Sequence, residues 1–305
     1  VRLTTAAKTI LTDITIYPIL SDAVKGAVIR VDDISDRVRI EEMMIQSEKM
    51  LSVGGLAAGM AHEINNPLAG MLQNIQVIRN RLEKDLPANF TAASECGISL
   101  EMIKVYMEKR GIFSMMELIT DSGYRAAKIV ENMLAFSRKS SHRKSTYYLH
   151  DIMEASIGLI ENDYSMKKKY DFRSIKIIRQ YQEGVPPVSC EKTQIQQVFL
   201  NILKNGAEAM TGFETLSPQF VIRSFKEEND VVLEIEDTGP GIADDIQKRI
   251  FEPFFTTKEV GVGTGLGLSV SYFIITENHG GTLAVDSVPG KGTIFIIKLP
   301  IPKKD

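Results

Sequence analysis

Apolar side chains recur every three or four residues along the central part of the chain. From about residue 36 to about residue 82 they form one continuous stripe, which predicts a long amphipathic helix. A second helix with the same pattern is predicted at roughly 115–138. Two helices with one apolar stripe each cannot bury both stripes well by pairing with each other. We therefore expect an α-helical hairpin that dimerises into a four-helix bundle. The stripes consist of Leu56, Met60, Ile64, Leu68, Met71, Ile75, Ile78 and Leu82 in the first helix and Met115, Ile119, Ala126, Ile129, Met133 and Phe136 in the second.

The segment between these helices, residues 83–114, is longer than a tight hairpin requires. It contains Pro87, Gly97 and Gly111 around one short amphipathic stretch, 99–109, for which Ser99 is a suitable helix cap. We expect the segment to pack at the tip of the bundle, and the sequence assigns it no further role.

Both flanks of the helical region have other patterns. Residues 1–35 contain two short β-like runs, at 13–19 and 25–33, joined by a turn-rich segment. A polar, basic stretch at 137–145 is either a hinge or a solvated loop. Beyond it, helices alternate with β-like runs, which predicts an α+β sandwich with a sheet on one side and helices on the other. The helices are predicted at about 149–166, 191–210, 243–249 and 266–277, and the strands at 174–180, 219–225, 231–236, 282–287 and 293–299.

Length and composition limit the function. The 305 residues are enough for two or three domains, and 44% of them are hydrophobic. The 36 Lys and Arg against 39 Asp and Glu give a net charge of -3, so we expect no nucleic-acid partner. Cys96 and Cys190 lack metal or disulfide spacing, which is typical of a reduced, cytoplasmic protein. No apolar run is long enough to cross a bilayer, so we expect no membrane contact in this fragment. Because the chain begins at Val1 inside a pattern, we expect a longer parent protein whose missing upstream part could include a membrane anchor.

Three glycine-rich clusters lie in the C-terminal half. "EDTGPGI" (236–242) follows a predicted strand, and the carboxylate of Asp237 could accept a hydrogen bond from an exocyclic amine beside a flat base. "GVGTGLGLS" (261–269) runs into a helix, so its backbone amides could bind a polyphosphate. "GKGT" (290–293) is the least specific, because it could be only a hairpin turn, and "DTGPG" alone is also an ordinary turn.

Two asparagines make the nucleotide hypothesis sharper. Asn201 and Asn205 lie one turn apart on one predicted helix face, with Lys204 beside them. A single buried asparagine is more often structural. The pair, followed by the glycine clusters in this order, indicates a metal and phosphate site. The amide oxygen of Asn205 is a suitable neutral ligand for Mg²⁺.

His62 has three possible roles. It lies off the apolar stripe, which argues against a packed core histidine, and the other histidines lie in unrelated segments, which argues against a metal site. The third role, a nucleophile, has suitable neighbours. A neutral imidazole has one free lone pair that can attack phosphorus, and Glu63 can take the proton from the other nitrogen. Asn66, one turn further on, could hold a water or a phosphoryl oxygen. Pro67 should bend the helix.

Five segments carry a resemblance to a known family. "AHEINNPL" (61–68) resembles the H box of sensor histidine kinases, and the segments at 201–209, 237–242, 251–258 and 261–268 resemble their N, G1, F and G2 boxes. The resemblance implies a dimerising hairpin that carries the histidine, followed by a Bergerat-type ATP-binding domain. The implied domains are the C-terminal part of a PAS-like sensor domain (1–35), a coiled-coil signalling helix (36–55), a dimerisation and histidine phosphotransfer domain (56–140) and a catalytic ATP-binding domain (145–305).

The same resemblance implies the chemistry. His62 would be autophosphorylated from Mg²⁺-ATP and pass the phosphoryl group to an aspartate of a response-regulator receiver domain. The motif from His62 to Asn66 also serves dephosphorylation of the partner in this family. Asp237 would bind adenine, Asn205 would bind Mg²⁺, and residues 251–265 would form a lid over ATP. The remaining nucleotide-binding residues implied are Asn201, Lys204, Gly239, Gly241, Lys258, Gly263, Gly265, Leu266, Gly267 and Thr293.

Two rival functions remain. Related ATPases such as gyrase carry a glutamate where this chain has Asn201, and an amide cannot act as the base that activates water, so rapid ATP hydrolysis is disfavoured. The other rival is a nucleotide-binding scaffold that dimerises and signals without phosphorylation.

Overall fold

A computed structural model describes residues 2–4, 9–21, 23–34, 38, 61–135, 144–162, 172–212, 217–258 and 263–302. The chain divides into two compact units, Val1–Ser52 and Val53–Asp305. Most of the first half of the long helix predicted from residue 36 lies outside the described residues. So do the C-terminal ends of the helices predicted at 115–138 and 149–166, most of the polar stretch 137–145, and residues 259–262 of the predicted lid. Of the helices within the described ranges, none combines the length and the apolar character needed to cross a bilayer.

The first unit contains a three-stranded antiparallel sheet in the order β1–β2–β3, formed by Arg2–Thr4, Thr9–Ser21 and Ala23–Asp33. The two long strands include both predicted β-like runs. Ile16 lies opposite Ile29 in the register, and each side chain is 61% exposed. The sheet therefore displays an apolar pair on its surface.

The second unit begins with a helical hairpin. Residues 61–83 form helix α1, and Ile112–Ala135 forms helix α4, so the two predicted helices are confirmed over these ranges. A side chain at Gly123 on α4 would lie 2.6 Å from Leu72 on α1, so this glycine lets the two helices approach closely. Arg79 on α1 forms an ion pair with Glu117 on α4 at 3.4 Å, on the exposed side of the contact.

Two short helices connect the hairpin. The predicted helix with the Ser99 cap is confirmed as α3 (Leu100–Lys109), because the Ser99 side chain accepts a hydrogen bond from the backbone N–H of Met102 at 3.1 Å. Helix α2 (Pro87–Glu95) was not predicted; its proline stands in the first turn, where no backbone N–H is needed. The side chain of Asn89 donates hydrogen bonds to the carbonyls of Asn80 and Lys84, which closes the end of α1.

The rest of the second unit is the predicted α+β sandwich. Its main sheet has the order β5–β7–β8–β10–β9, and only the β5–β7 pair is parallel. The short strands β4 and β6 pair with each other and were not predicted. The strands are β4 (Ser145–Tyr147), β5 (Lys176–Tyr181), β6 (Val188–Cys190), β7 (Gln219–Glu227), β8 (Asp230–Asp237), β9 (Thr282–Val288) and β10 (Gly292–Pro300).

Helices cover one face of this sheet and make the core with it. Apolar side chains on α5 and α6, among them Met153, Phe199 and Leu203, are fully buried together with Phe220 of β7. The other face carries ion pairs such as Arg223 with Glu236 at 2.6 Å. The helices are α5 (Leu149–Asn162), α6 (Lys192–Gly212), α7 (Asp244–Gln247) and α8 (Gly267–Phe273). The helix predicted at 266–277 is α-helical only through α8 and continues as a π-helical turn, Ile274–Asn278.

Candidate active site

A buried carboxylate lies at the end of β8. Because side chains alternate between the two faces of a strand, Asp237 shares the core face with Leu233 and Ile235 and is only 5% exposed. Its Oδ1 accepts a hydrogen bond from the backbone N–H of Gly239 at 2.9 Å. Burial raises the pKa of Asp237 to about 6, although hydrogen bonds from the backbone of Gly239 and of Thr293 oppose the shift. Near neutral pH this side chain is a buried hydrogen-bond acceptor.

The loop after Asp237 is held against the hairpin between β9 and β10. The backbone N–H of Ile242 donates to Ser287 Oγ at 2.8 Å, and Thr293, which pairs with Asp237 in the register, lies with its Oγ1 2.9 Å from the same hydroxyl. Gly241 has φ 71°, and a side chain there would lie 2.2 Å from the carbonyl oxygen of Val288. The first and third glycine clusters therefore come together at this end of the sheet.

Helix α6 contacts the predicted lid at Lys258 and also contacts the helix that follows the lid. The side-chain amide of Asn201 donates to the carbonyl of Gly267 at 3.0 Å and to Ser271 Oγ at 3.1 Å. One turn further along α6, Asn205 Oδ1 accepts a hydrogen bond from Lys258 Nζ at 3.2 Å. The two asparagines that the sequence placed on one helix face are thus attached to the two ends of the segment between Lys258 and Gly267.

Two glycines that precede α8, Gly263 and Gly265, also pack against residues 254–258. A side chain at Gly263 would lie 2.5 Å from Thr256 Oγ1 and 3.1 Å from Lys258 Cβ. Gly265 has φ 65°, and a side chain there would lie 2.4 Å from the carbonyl carbon of Phe254. Leu266, which directly precedes α8, is fully buried. Lys204 is half-buried on α6 beside Asn205.

The histidine motif lies on a different element. His62, Glu63 and Asn66 are all exposed, and they occupy the described start of α1, directly after the buried Ala61. Over the part of the chain that the structure describes, no hydrogen bond or ion pair joins His62 to Asn205. In the same ranges, no group of three or more His, Cys, Asp or Glu side chains is arranged to hold a metal ion. The structure therefore brings Asn201 to Gly267 and Asn205 to Lys258, and it presents His62 on another helix.

Sequence reasoning missed two residues of this site. Glu208 forms an ion pair with Lys258, and its spacing of three residues from Asn205 on a helix was the available signal. A side chain at Gly206 would lie 2.7 Å from the Phe220 ring and 3.3 Å from Asp237 Oδ2. This glycine lets α6 approach the sheet beside the carboxylate, and no pattern in the sequence revealed it.

Comparison with known proteins identifies this arrangement. Residues 190–303 match the family model described as histidine kinase-, DNA gyrase B-, and HSP90-like ATPase. The chain is 30% identical over 287 residues to NtrB of Rhodobacter capsulatus, a sensory histidine kinase/phosphatase. The matched region covers 90% of this chain and 68% of NtrB. It is 32% identical over 269 residues to sporulation kinase E of Bacillus subtilis, and this match covers 88% of this chain and 31% of the kinase. The fold is similar to that of histidine kinase ThkA in complex with response regulator protein TrrA, with a TM-score of 0.50, 23% identity and coverage of 99% of this chain and 79% of that one.

The fold and the site define an ATP-binding domain of this superfamily joined to a helical hairpin, which confirms the predicted fold class. The chain belongs to the sensor histidine kinase family. The resemblance carried by the five boxes is thereby confirmed. The chain spans 27% to 39% of the length of several other curated relatives, including sporulation kinase A of Bacillus subtilis.

Proposed function

We propose that this chain is a protein-histidine kinase that phosphorylates its own His62 from Mg²⁺-ATP. The observation that carries the proposal is the pairing of two features in one chain. An exposed His62 is followed directly by a carboxylate, and a separate part of the chain has Lys258 on Asn205 and the buried carboxylate of Asp237. Membership of the sensor histidine kinase family supports the same reaction.

His62 is the nucleophile in this proposal. One ring nitrogen attacks the γ-phosphorus, the bond from that phosphorus to the bridging oxygen breaks, and ADP leaves. Glu63 takes the proton from the other ring nitrogen as positive charge develops on the imidazole. Exposure of both side chains supports this role, because the reacting histidine has to be reached by the γ-phosphate of a nucleotide bound on another element.

Asp237 recognises the base. A carboxylate has about four lone-pair positions, so Asp237, which accepts backbone hydrogen bonds from Gly239 and Thr293, can still accept one from an exocyclic amine such as that of adenine. Thr293 and the backbone at Gly239 and Gly241 complete the binding site for adenine. Lys204, Lys258 and the backbone of Gly263, Gly265, Leu266 and Gly267 bind the phosphates.

Asn205 holds Mg²⁺. The chemistry of the position fits a cation, because Asn205 Oδ1 already accepts a positively charged group, the Lys258 ammonium. A bound Mg²⁺ would neutralise charge on the phosphates, which is the main requirement of phosphoryl transfer. Asn201 is a positioning residue, since its amide is engaged by α8.

The active form is a homodimer. Ile64, Met71 and Ile78 are spaced by seven residues along α1 and are 40%, 61% and 49% exposed, which is the pattern of a helix-packing seam. On α4, Met115, Leu118 and Ile119 are also exposed. A second hairpin would cover both rows and complete a four-helix bundle.

The phosphoryl group passes to an aspartate of a response-regulator receiver domain. ThkA, which shares this fold, binds a response regulator, and NtrB is both a kinase and a phosphatase. Asn66 is exposed one turn after His62, where it could orient a water for dephosphorylation of the partner. We propose the domain division that the resemblance implies, with a PAS-like piece at 1–35, a signalling helix at 36–55, the phosphotransfer domain at 56–140 and the catalytic domain at 145–305.

The test is incubation with γ-labelled ATP and Mg²⁺. We expect a label on the wild-type chain that is lost in acid and survives base, and that His62→Gln and Asn205→Ala each abolish. His150→Gln is the control, because this histidine lies on α5 and should leave labelling unchanged. Binding of ATP without any label would instead support the scaffold function.

A further inference from the structure

The contacts of Lys258 set it apart from an ordinary surface lysine. Its ammonium contacts Asn205 Oδ1 at 3.2 Å and forms an ion pair with the carboxylate of Glu208. Asn205 and Glu208 are three residues apart on α6, so both face the same side of the helix. The Lys258 ammonium therefore contacts side-chain oxygens of two residues on one helix, Asn205 and Glu208.

The stem of Lys258 is also restrained. Gly263 packs closely against Lys258 and Thr256. A side chain at Gly263 would lie 3.1 Å from Lys258 Cβ and 2.5 Å from Thr256 Oγ1. Thr256 Oγ1 accepts a hydrogen bond from the backbone N–H of Lys258 at 3.1 Å. Packing fixes the base of the side chain, and Glu208 fixes its charged end.

The position of Glu208 is unexpected for a polyphosphate site. A carboxylate beside the phosphates of ATP would repel them, and helix α6 already provides Asn205 for the metal. The repulsion disappears if the carboxylate is neutralised by a cation that also contacts the phosphates. An ammonium has three donors, so Lys258 can stay on Glu208 while another donor turns from Asn205 Oδ1 to a phosphate oxygen, which leaves Asn205 for the metal.

We propose that Glu208 is a positioning residue for Lys258: its carboxylate holds the ammonium beside Asn205, where it meets the phosphates of the bound nucleotide. The proposal rests on the proposed nucleotide site and adds a residue to it. Glu208 itself contacts neither the base nor the reacting phosphorus, and its effect passes through Lys258.

The test is a double-mutant cycle read by calorimetric binding of Mg²⁺-ATP to the whole chain. The two side chains are 36% and 31% exposed, so solvent screens the pair and the effect is modest. We expect Glu208→Gln to weaken ATP binding by about threefold to fivefold in the chain that keeps Lys258. In the Lys258→Met chain the same change should leave ATP binding equal or tighter, because it removes an unneutralised carboxylate.

Three further measurements separate positioning from general damage. Glu208→Asp keeps the charge and should restore affinity to within about twofold of wild type. Binding of adenosine, which lacks phosphates, should be unchanged in every variant. Glu227→Gln is the matched control, because Glu227 pairs with Lys298 in a similar, partly exposed ion pair at the end of the sheet opposite Asp237, and it should not affect ATP binding.

Equal loss of affinity on Glu208→Gln with and without Lys258, or a parallel loss of adenosine binding, would overturn the proposal. The readout does not depend on phosphoryl transfer. A chain that shows the coupling but never labels His62 would refute the kinase and keep the role of Glu208. A chain that labels His62 but shows no coupling would refute the role of Glu208 and keep the kinase.

Discussion

The side-chain amide of Asn201 donates to the carbonyl oxygen of Gly267 at 3.0 Å, which joins α6 to the first residue of α8. The same amide nitrogen also donates to Ser271 Oγ at 3.1 Å. A carboxylate at this position would face two oxygen atoms and could not donate to them. This contact explains in physical terms why an amide suits residue 201 in this chain.

Asn201→Asp should therefore destabilise the ATP-binding domain. Loss of the donor leaves the Gly267 carbonyl facing a negative charge, so the free energy of unfolding should fall by about 1–3 kcal/mol. Urea denaturation followed by circular dichroism measures this. The matched control is Asn162→Asp, since Asn162 donates to the Gly158 carbonyl on an exposed part of α5 and should cost less than about 0.5 kcal/mol. Equal losses for the two variants would contradict the expectation.

Adenine nucleotide binding should depend on the ionisation of Asp237. The pKa of this carboxyl is raised to about 6 by burial, so it is mainly ionised at pH 7.5 and mainly protonated at pH 5. Protonation removes an acceptor, so the dissociation constant should be constant above pH 7 and should rise as the pH falls through about 6. Asp237→Asn should bind weakly, with a much flatter pH profile. Fluorescence titration with a labelled ATP analogue gives both profiles, and a mutant profile as steep as that of wild type would exclude Asp237 as the titrating group.

Gly265→Ala should disturb the close backbone contact between Gly265 and Phe254. Its φ of 65° is unfavourable for alanine, and the added carbon would lie 2.4 Å from the Phe254 carbonyl carbon. We expect a loss of about 1–3 kcal/mol in the free energy of unfolding, together with weaker ATP binding. Gly158→Ala is the control, because a side chain there has nothing within 4 Å and alanine favours the helix α5. Thermal melting should therefore show opposite signs for the two substitutions.

His279 should make stability depend on pH. Its Nδ1 donates to the Ile274 carbonyl at 2.7 Å, and its Nε2 accepts from the backbone N–H of Glu191 at 3.0 Å, so the buried ring is neutral. Burial is the main reason why the pKa of His279 is lowered, and Lys144 adds to the shift. A lowered pKa in the folded state means that this stability is fully present above the unfolded value of about 6.5 and is lost as the pH falls.

The measurement for His279 is urea denaturation at pH 7.5 and pH 5.5. Wild type should lose stability over this interval, and His279→Gln should lose less, although it starts lower. Asp237 acts in the opposite direction, because a raised folded pKa adds stability as the pH falls. It is present in both proteins, so the difference between their slopes reports His279 alone. Identical slopes would show that His279 contributes nothing to the pH dependence.

Met71→Glu should weaken the proposed homodimer. Met71 is 61% exposed at the middle of the seam between Ile64 and Ile78, so a charge there would be buried on association. We expect the dimer dissociation constant to rise at least about tenfold in sedimentation equilibrium. Met102→Glu on the connecting helix α3 is the control, because Met102 is similarly exposed at 56% but lies outside the seam. Dimerisation that tolerates Met71→Glu would place the interface elsewhere.

The sequence predicted the elements whose pattern is local. The 3.6-residue period gave α1 and α4, and the Ser99 cap gave α3, whereas the strand predicted at 231–236 ended one residue before Asp237, which the structure includes in β8. Strands β4 and β6 were missed because three residues are too few to display a period. Helix α2 was missed because Pro87 suggested a loop, whereas the proline occupies the first helical turn.

The nucleotide site was predicted only as far as its motifs reach. Asn205 and Asp237 each belong to a recognisable segment, and the sequence order of these segments was informative. The pairing of Glu208 with Lys258 joins residues 50 positions apart. The helical spacing places Glu208 beside Asn205, but it does not indicate Lys258 as the partner. The space for α6 beside Asp237 depends on the ring of Phe220, which comes from a third element. Contacts of this kind depend on how the helices pack on the sheet.

Helix α6 contacts Lys258 through Asn205 and Glu208, and it contacts Gly267 through Asn201. One helix therefore holds the described residues on both sides of 259–262. A substitution that shifts α6 would move the Lys258 ammonium and the start of α8 together, so the two halves of the proposed phosphate site cannot be adjusted independently.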